Sequence, residues 1–85
     1  MNRYIVDVTV LPRDGVPDIQ GRAVERALKE SGCDSASDVR AGRFIRFVVR
    51  AEDEEAASSD ADRIADGLLA NSLVESYSIK LEPLP

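Results

Sequence analysis

Arg3-Tyr4-Ile5-Val6-Asp7-Val8-Thr9-Val10-Leu11 is the stretch that decides the fold class. Tyr4, Val6, Val8 and Val10 fall on one side and Ile5, Asp7, Thr9 and Leu11 on the other. That period of two marks a strand with one strongly apolar face. Pro12, Gly15 and Pro17 then break the pattern and read as a loop. Asp18 is placed to cap a helix in which Ile19, Ala23, Val24, Ala27 and Leu28 share one face. Glu25 and Lys29 form an i, i+4 pair on its wet side, and Gly32 supplies a left-handed stop.

Further along, residues 36–50 read as two strands. A short one ends near Arg40, Ala41-Gly42 offers a tight turn, and Arg43 to Arg50 forms the longer second strand. There Ile45, Phe47 and Val49 share a face, opposite Phe44, Arg46, Val48 and Arg50. Glu52, Asp53, Glu54 and Glu55 open a second helix, where negative charge complements the helix dipole. Its buried stripe is Ala57, Ala61, Ile64, Ala65, Leu68 and Leu69, closed by Asn71 and Ser72. A last strand runs from Leu73 to about Leu81, with Leu73, Tyr77, Ile79 and Leu81 on one face, before Pro83 and Pro85 end the pattern.

The order strand, helix, strand, strand, helix, strand predicts an α+β, ferredoxin-like βαββαβ domain spanning residues 1–85, with both helices on one face of an antiparallel sheet. The other face is then bare. Ile5, Asp7, Thr9, Leu11, Phe44, Arg46, Val48 and Arg50 fall there, joined by Val74, Ser76 and Ser78, with Asp7 and Arg46 within reach across neighbouring strands. A sheet face that mixes apolar and charged residues suggests a protein interface, most simply a homodimer through Ile5, Asp7, Thr9, Phe44, Arg46 and Val48.

Composition removes several function classes. The chain has 85 residues, 11 Lys and Arg against 16 Asp and Glu, a net charge of −5 and no His. An acidic balance disfavours nucleic acid as a partner, because phosphate binding draws on Lys and Arg. Without His, the side chain whose pKa lies nearest neutrality and the commonest metal ligand are both missing. No apolar run approaches the length of a membrane span, and no secretory signal layout opens the chain. A single cysteine fits a reducing compartment, and the expected location is cytoplasmic.

Candidate chemistry is sparse. Gly42-Arg43-Phe44-Ile45-Arg46-Phe47-Val48 superficially resembles the basic-Gly-aromatic strand of RNA-recognition modules. Base stacking needs those aromatics on one face, whereas Phe44 and Phe47 point opposite ways. Cys33 has no His to activate it and reads as a loop residue. The acidic run 52–55 and the pair Asp60 and Asp62 lack an EF-hand pattern, since the sixth residue from Asp60 is Ala65 rather than Gly. No nucleotide-binding glycine pattern occurs. An enzyme working by carboxylates alone is the weakest reading. A free-standing regulatory domain that binds a small ligand is the alternative to an assembly subunit.

Taken in order, Asp18-Ile19-Gln20-Gly21, Val24, Ala27-Leu28, Gly32, Val39-Arg40, Gly42, Leu68-Leu69-Ala70-Asn71, Val74-Glu75 and Tyr77 resemble the PurS family, the small subunit of phosphoribosylformylglycinamidine synthase. The likeness runs from about Tyr4 to Leu81. Two positions depart from it: Ile19 and Ser72 stand where the family usually has Pro. The resemblance implies a non-catalytic subunit that binds no cofactor or metal of its own. Its implied partners are a glutaminase subunit, which releases ammonia from glutamine, and a large synthetase subunit, which uses ATP and Mg. It further implies a homodimer, with pairing into tetramers left open, that assembles these partners and assists ammonia transfer in de novo purine biosynthesis. From the family pattern and their loop or helix-end positions, Asp18, Gln20, Gly21, Arg22, Arg40, Gly42 and Asn71 are the expected partner contacts.

Overall fold

In the computed structural model, which describes residues 1–85, the alternating N-terminal stretch is β1 (Asn2–Pro12), the centre of a three-stranded antiparallel sheet. β2 (Arg43–Ala51) and β3 (Glu75–Leu84) flank it in the order β2-β1-β3. The register sets Val6 between Phe47 and Leu81, and Val8 between Ile45 and Ile79. One face is therefore continuously apolar, and Val6, Val8 and Val10 are fully buried at its middle.

α2 (Glu54–Ile64) covers that face. The Asp53 carboxylate accepts from the Ala56 N–H at 2.8 Å, and Glu54 and Glu55 place negative charge in the first turn. Ala57 and Ala61 meet the sheet, followed by Ala65 in a π-helical turn (Ala65–Leu69) that continues the helix; all three are fully buried. Alanines let the helix lie close against β1 and its neighbours. The wider turn resets the helical phase, so Leu68, expected in the buried stripe, points to solvent while Leu69 stays half-buried.

Two expectations about architecture are corrected. No strand ends at Arg40, and Ala41-Gly42 does not turn a hairpin: residues 36–42 are irregular. This segment offers only Ala36, Val39 and Ala41 as apolar side chains, too few for a sheet face. Its backbone is held by side chains instead. The Ala41 N–H donates to Asp18 Oδ2 at 2.9 Å, and the Val39 N–H donates to Glu25 Oε1 at 3.3 Å.

The second correction concerns α1 (Ile19–Glu30), which forms as expected but does not lie on the sheet beside α2. Its local signals all operate. Asp18 caps it, Glu25 and Lys29 pair at 3.6 Å, and Gly32 at φ +91° carries the Schellman stop, with N–H bonds from Gly32 to Lys29 O and from Cys33 to Leu28 O. Yet Gly21 is its only buried residue. Of the expected core stripe, Ile19, Ala23, Val24 and Ala27 are exposed and Leu28 is half-buried. Local propensity made the helix, and its side-chain ties run to residues 39–41 rather than to the sheet.

At the C-terminal end, Leu73 lies in the turn before β3 and is exposed, while the strand continues past Leu81 to Leu84. Pro83 is accommodated because β3 is an edge strand.

Candidate functional site

Three connections meet at the end of the sheet where β1 finishes and β2 and β3 begin. A Cβ on Gly42 would overlap the Val10 carbonyl oxygen and stand 3.0 Å from Leu11 Cδ2, so only Gly lets this segment rest against β1. A Cβ on Gly21 would overlap the Asp18 carboxylate and lie 2.7 Å from the Val39 carbonyl oxygen. Asp18 links the two segments: its Oδ1 accepts from the Gly21 N–H at 2.8 Å while its Oδ2 accepts from Ala41. Those two N–H bonds, Gly21's first, hold its carboxyl below the usual carboxylate range.

Beside this clasp lies a cleft of about 530 Å³ lined by Arg13, Arg22 and Arg40 together with Asp14, Asp18 and Asp38. Arg40 Nη1 donates to the Pro12 carbonyl and to Asp14 Oδ1, both at 3.2 Å. Asp38 sits at φ +55°, a left-handed position that Asp tolerates better than most residues.

A second network fixes the turn between the π-helical segment and β3. Arg43 forks onto Glu75 at 2.7 and 2.9 Å and also donates to the Leu69 carbonyl at 2.6 Å. Glu75 Oε1 accepts in addition from the Asn71 N–H at 2.8 Å. The Arg43 guanidinium, and then the Asn71 N–H, draw the Glu75 carboxyl down to about 2. Arg13 closes the turn from the other side through its N–H to the Val74 carbonyl at 2.8 Å and its Nε to the Ser72 carbonyl at 3.0 Å. This lattice holds a turn whose apolar side chains face outward. Leu73 is 88% exposed, and Ile19, 86% exposed, shares a groove with Val74, Gly42 and Arg43.

No helix covers the far face of the sheet. Ile5, Asp7, Thr9, Phe44, Arg46 and Val48 lie together there, with Phe44 59% and Val48 50% exposed. Arg46 forks onto Asp7 at 2.6 and 2.9 Å, which lowers the Asp7 pKa, and its guanidinium stands 5.8 Å from the Phe44 ring centre. Val74 is not part of this face, since it precedes β3. Phe44 and Phe47 sit on opposite faces, so the base-stacking platform of an RNA-recognition module is not formed.

The structure thus brings Asp18, Gln20, Gly21, Arg22, Arg40 and Gly42 to one end of the sheet, with Asn71 in the adjoining turn. Gly21 is buried beneath the Val39 carbonyl, so what it does at this end is let the start of α1 pack closely on residues 39–41. The Asp18 carboxylate is already engaged by two backbone N–H groups, which leaves Gln20, Arg22, Arg40 and Asn71 on the surface. Sequence reasoning missed Arg43, Glu75 and Arg13 as organisers of this end. Arg43 and Glu75 are 32 residues apart, and no local spacing rule joins an Arg opening one strand to a Glu opening another.

These features define a small α+β domain whose distinctive parts are surfaces: one bare sheet face and one sheet end rigidified by charge-assisted hydrogen bonds. Residues 5–83 match the model of the PurS family, phosphoribosylformylglycinamidine (FGAM) synthase. The chain belongs to this family. It is 37% identical over 81 residues to the phosphoribosylformylglycinamidine synthase subunit PurS of Synechocystis sp., covering 95% of this chain and 81% of the relative. Among solved structures, PurS of Thermus thermophilus superposes with a TM-score of 0.88 at 36% identity, over 98% of this chain and 99% of the other. A chain of PurLQS from Thermotoga maritima superposes with a TM-score of 0.85 at 30% identity, over 99% and 100%. No helix of the structure is long and apolar enough to cross a membrane.

Proposed function

We propose that this chain is the small, non-catalytic subunit of phosphoribosylformylglycinamidine synthase, joining a glutaminase subunit to a large ATP-dependent synthetase subunit in de novo purine biosynthesis. The observation that carries this reading is the full-length likeness to a chain of PurLQS. ATP, Mg and glutamine belong to the partner subunits, and the working compartment is the cytoplasm. The physical need for such a subunit lies in ammonia, which protonates or diffuses away unless donor and acceptor sites are held in register and shielded from water. The sheet end, through Gln20, Arg22, Arg40 and Asn71, makes the contact with the catalytic subunits. The bare face, through Ile5, Phe44, Arg46 and Val48, makes a contact between copies of this chain.

Size-exclusion chromatography of the three purified subunits tests this reading. A ternary complex is expected with the parent chain, and a weakened one with Gln20→Ala plus Arg40→Ala. Undiminished complex formation by that variant removes the sheet end from the interface. A second reading, a free-standing ligand-binding domain, draws on the arginine-lined cleft; it requires a thermal shift with a small anion and no complex with the synthetase.

A further inference from the structure

Counted by charge alone, the cleft of about 530 Å³ at the sheet end is neutral, with Arg13, Arg22 and Arg40 against Asp14, Asp18 and Asp38. Its hydrogen bonds are less even. Both oxygens of Asp18 are taken by the Gly21 and Ala41 N–H groups, and Asp14 is paired with Arg40 at 3.2 Å. Arg40 spends only Nη1, on Asp14 and on the Pro12 carbonyl, while Arg13 turns its Nε to the Ser72 carbonyl. Arg22 lines the same cleft and bonds to none of the three carboxylates. Asp38 accepts one long bond, at 3.4 Å, from the hydroxyl of Ser37 and pairs with no cation.

The cleft therefore keeps a whole guanidinium on Arg22, the Nε and Nη2 donors of Arg40 and the carboxylate of Asp38 without strong partners. The two cations act on one place. After the Gly21 and then the Ala41 N–H bonds, the charges of Arg22 and Arg40 both lower the Asp18 pKa. A guanidinium binds oxyanions through paired N–H donors in a fixed fork, and two forks facing one space suit a phosphate dianion better than a lone carboxylate. Asp38 repels a bare anion but accepts a hydrogen bond from a hydroxyl. The volume agrees with a ligand larger than inorganic phosphate, since small-molecule sites span about 300–1,000 Å³. Val16 and Val39 give the cleft too little apolar wall to cover a flat aromatic ring.

We propose that this cleft binds a sugar phosphate, its phosphate monoester forked by Arg22 and Arg40 and a sugar hydroxyl donating to Asp38. The bound ligand ties α1, which carries Arg22, to the irregular segment that carries Asp38 and Arg40. It thereby adds to the two links that hold this helix at the sheet end, Asp18 to Ala41 and Glu25 to Val39. Arg22 and Arg40 also lie on the surface proposed for the catalytic subunits, but the isolated chain holds every residue of the cleft. The site does not rest on the assembly role, and binding by the chain alone reads it separately.

Nuclear magnetic resonance titration of the full chain with ribose 5-phosphate, at constant ionic strength, tests the site. Saturable shifts confined to the amides of residues 12–22 and 38–41 are expected, with slower deuterium exchange at the Ala41 N–H. Arg22→Gln breaks no hydrogen bond of the free chain and should bind about tenfold more weakly, the lower end of what a bond to a charged group contributes. Asp38→Asn should weaken binding of ribose 5-phosphate and not that of inorganic phosphate. Adenosine 5′-monophosphate bound as tightly as ribose 5-phosphate supports the same recognition and makes a nucleotide the source of the phosphate. Shifts scattered over the surface, equal affinity in Arg22→Gln, or glutamate bound as tightly as ribose 5-phosphate each overturn the proposal. So does inorganic phosphate that binds as well as the sugar phosphate with Asp38→Asn affecting neither, which makes the cleft a site for an adventitious ion only.

Discussion

Gly42→Ala is the most informative single change, because it loads one methyl group onto the contact that holds the sheet end together. The new Cβ would overlap the Val10 carbonyl oxygen, a backbone atom of the central strand that no rotamer change can move. Forcing extra volume into a filled site costs about 1–3 kcal/mol, and a backbone obstacle puts this case at the upper end. Against that, Ala restricts the unfolded chain more than Gly and returns about 0.4–1 kcal/mol. The net loss is about 2 kcal/mol, which for a domain of this size lowers Tm by about 8–16 °C. Gly67→Ala is the control: nothing lies within 4 Å of its Cβ, and it sits in a helical turn. There the exchange gains about 1 kcal/mol and raises Tm by about 4–8 °C. Thermal unfolding followed by circular dichroism at one fixed protein concentration reads both, because any binding to the folded chain would make Tm depend on concentration. A Gly42→Ala chain as stable as the parent would refute the close approach of residues 40–42 to β1.

Asp18→Ala removes the acceptor shared by the Gly21 and Ala41 N–H groups, so both amides should exchange faster with deuterium, while Asn at this position restores part of the protection. The Glu75 carboxyl, at about 2 in the folded chain against 4.5 ordinarily, adds stability that is complete above about pH 5 and is lost as pH falls through 4.5 toward 2. Urea titrations across that window should show a shallower fall for Glu75→Gln than for the parent. The Tyr77 hydroxyl donates to Asp62 Oδ1 at 2.7 Å, and that bond pushes its pKa up to about 12. Spectrophotometric titration should find this phenol returning toward 10 in Asp62→Asn.

What the sequence made legible was whatever depends on short range. The alternation from Tyr4 to Val10 located the central strand and its buried face, and the same arithmetic placed Asp7 beside Arg46 across two strands. Capping by Asp18 and the stop at Gly32 followed from residue chemistry alone. Long-range placement was not legible. The apolar stripe of α1 is real, but a stripe shows only that a helix has something to cover, not that the cover is its own sheet. Residues 36–42 looked like a strand and turn because Val39, Ala41 and Gly42 suit one. Asp18 and Glu25 instead took up the N–H groups that a ladder would have used. The π-helical turn at Ala65–Leu69 shifted Leu68 outward, with only Gly67 in the sequence to hint at an irregular helix. At the sheet end, Arg43 and Glu75 organise the Asn71 turn through a contact that sequence spacing does not encode.

The role in assembly is tested most directly by glutamine-dependent amidine synthesis with the large and glutaminase subunits, with and without this chain, alongside a run supplied with ammonium salt. Glutamine-driven synthesis that requires the chain, beside ammonia-driven synthesis that does not, is the predicted result. Glutamine-driven synthesis at the same rate in its absence would contradict the account.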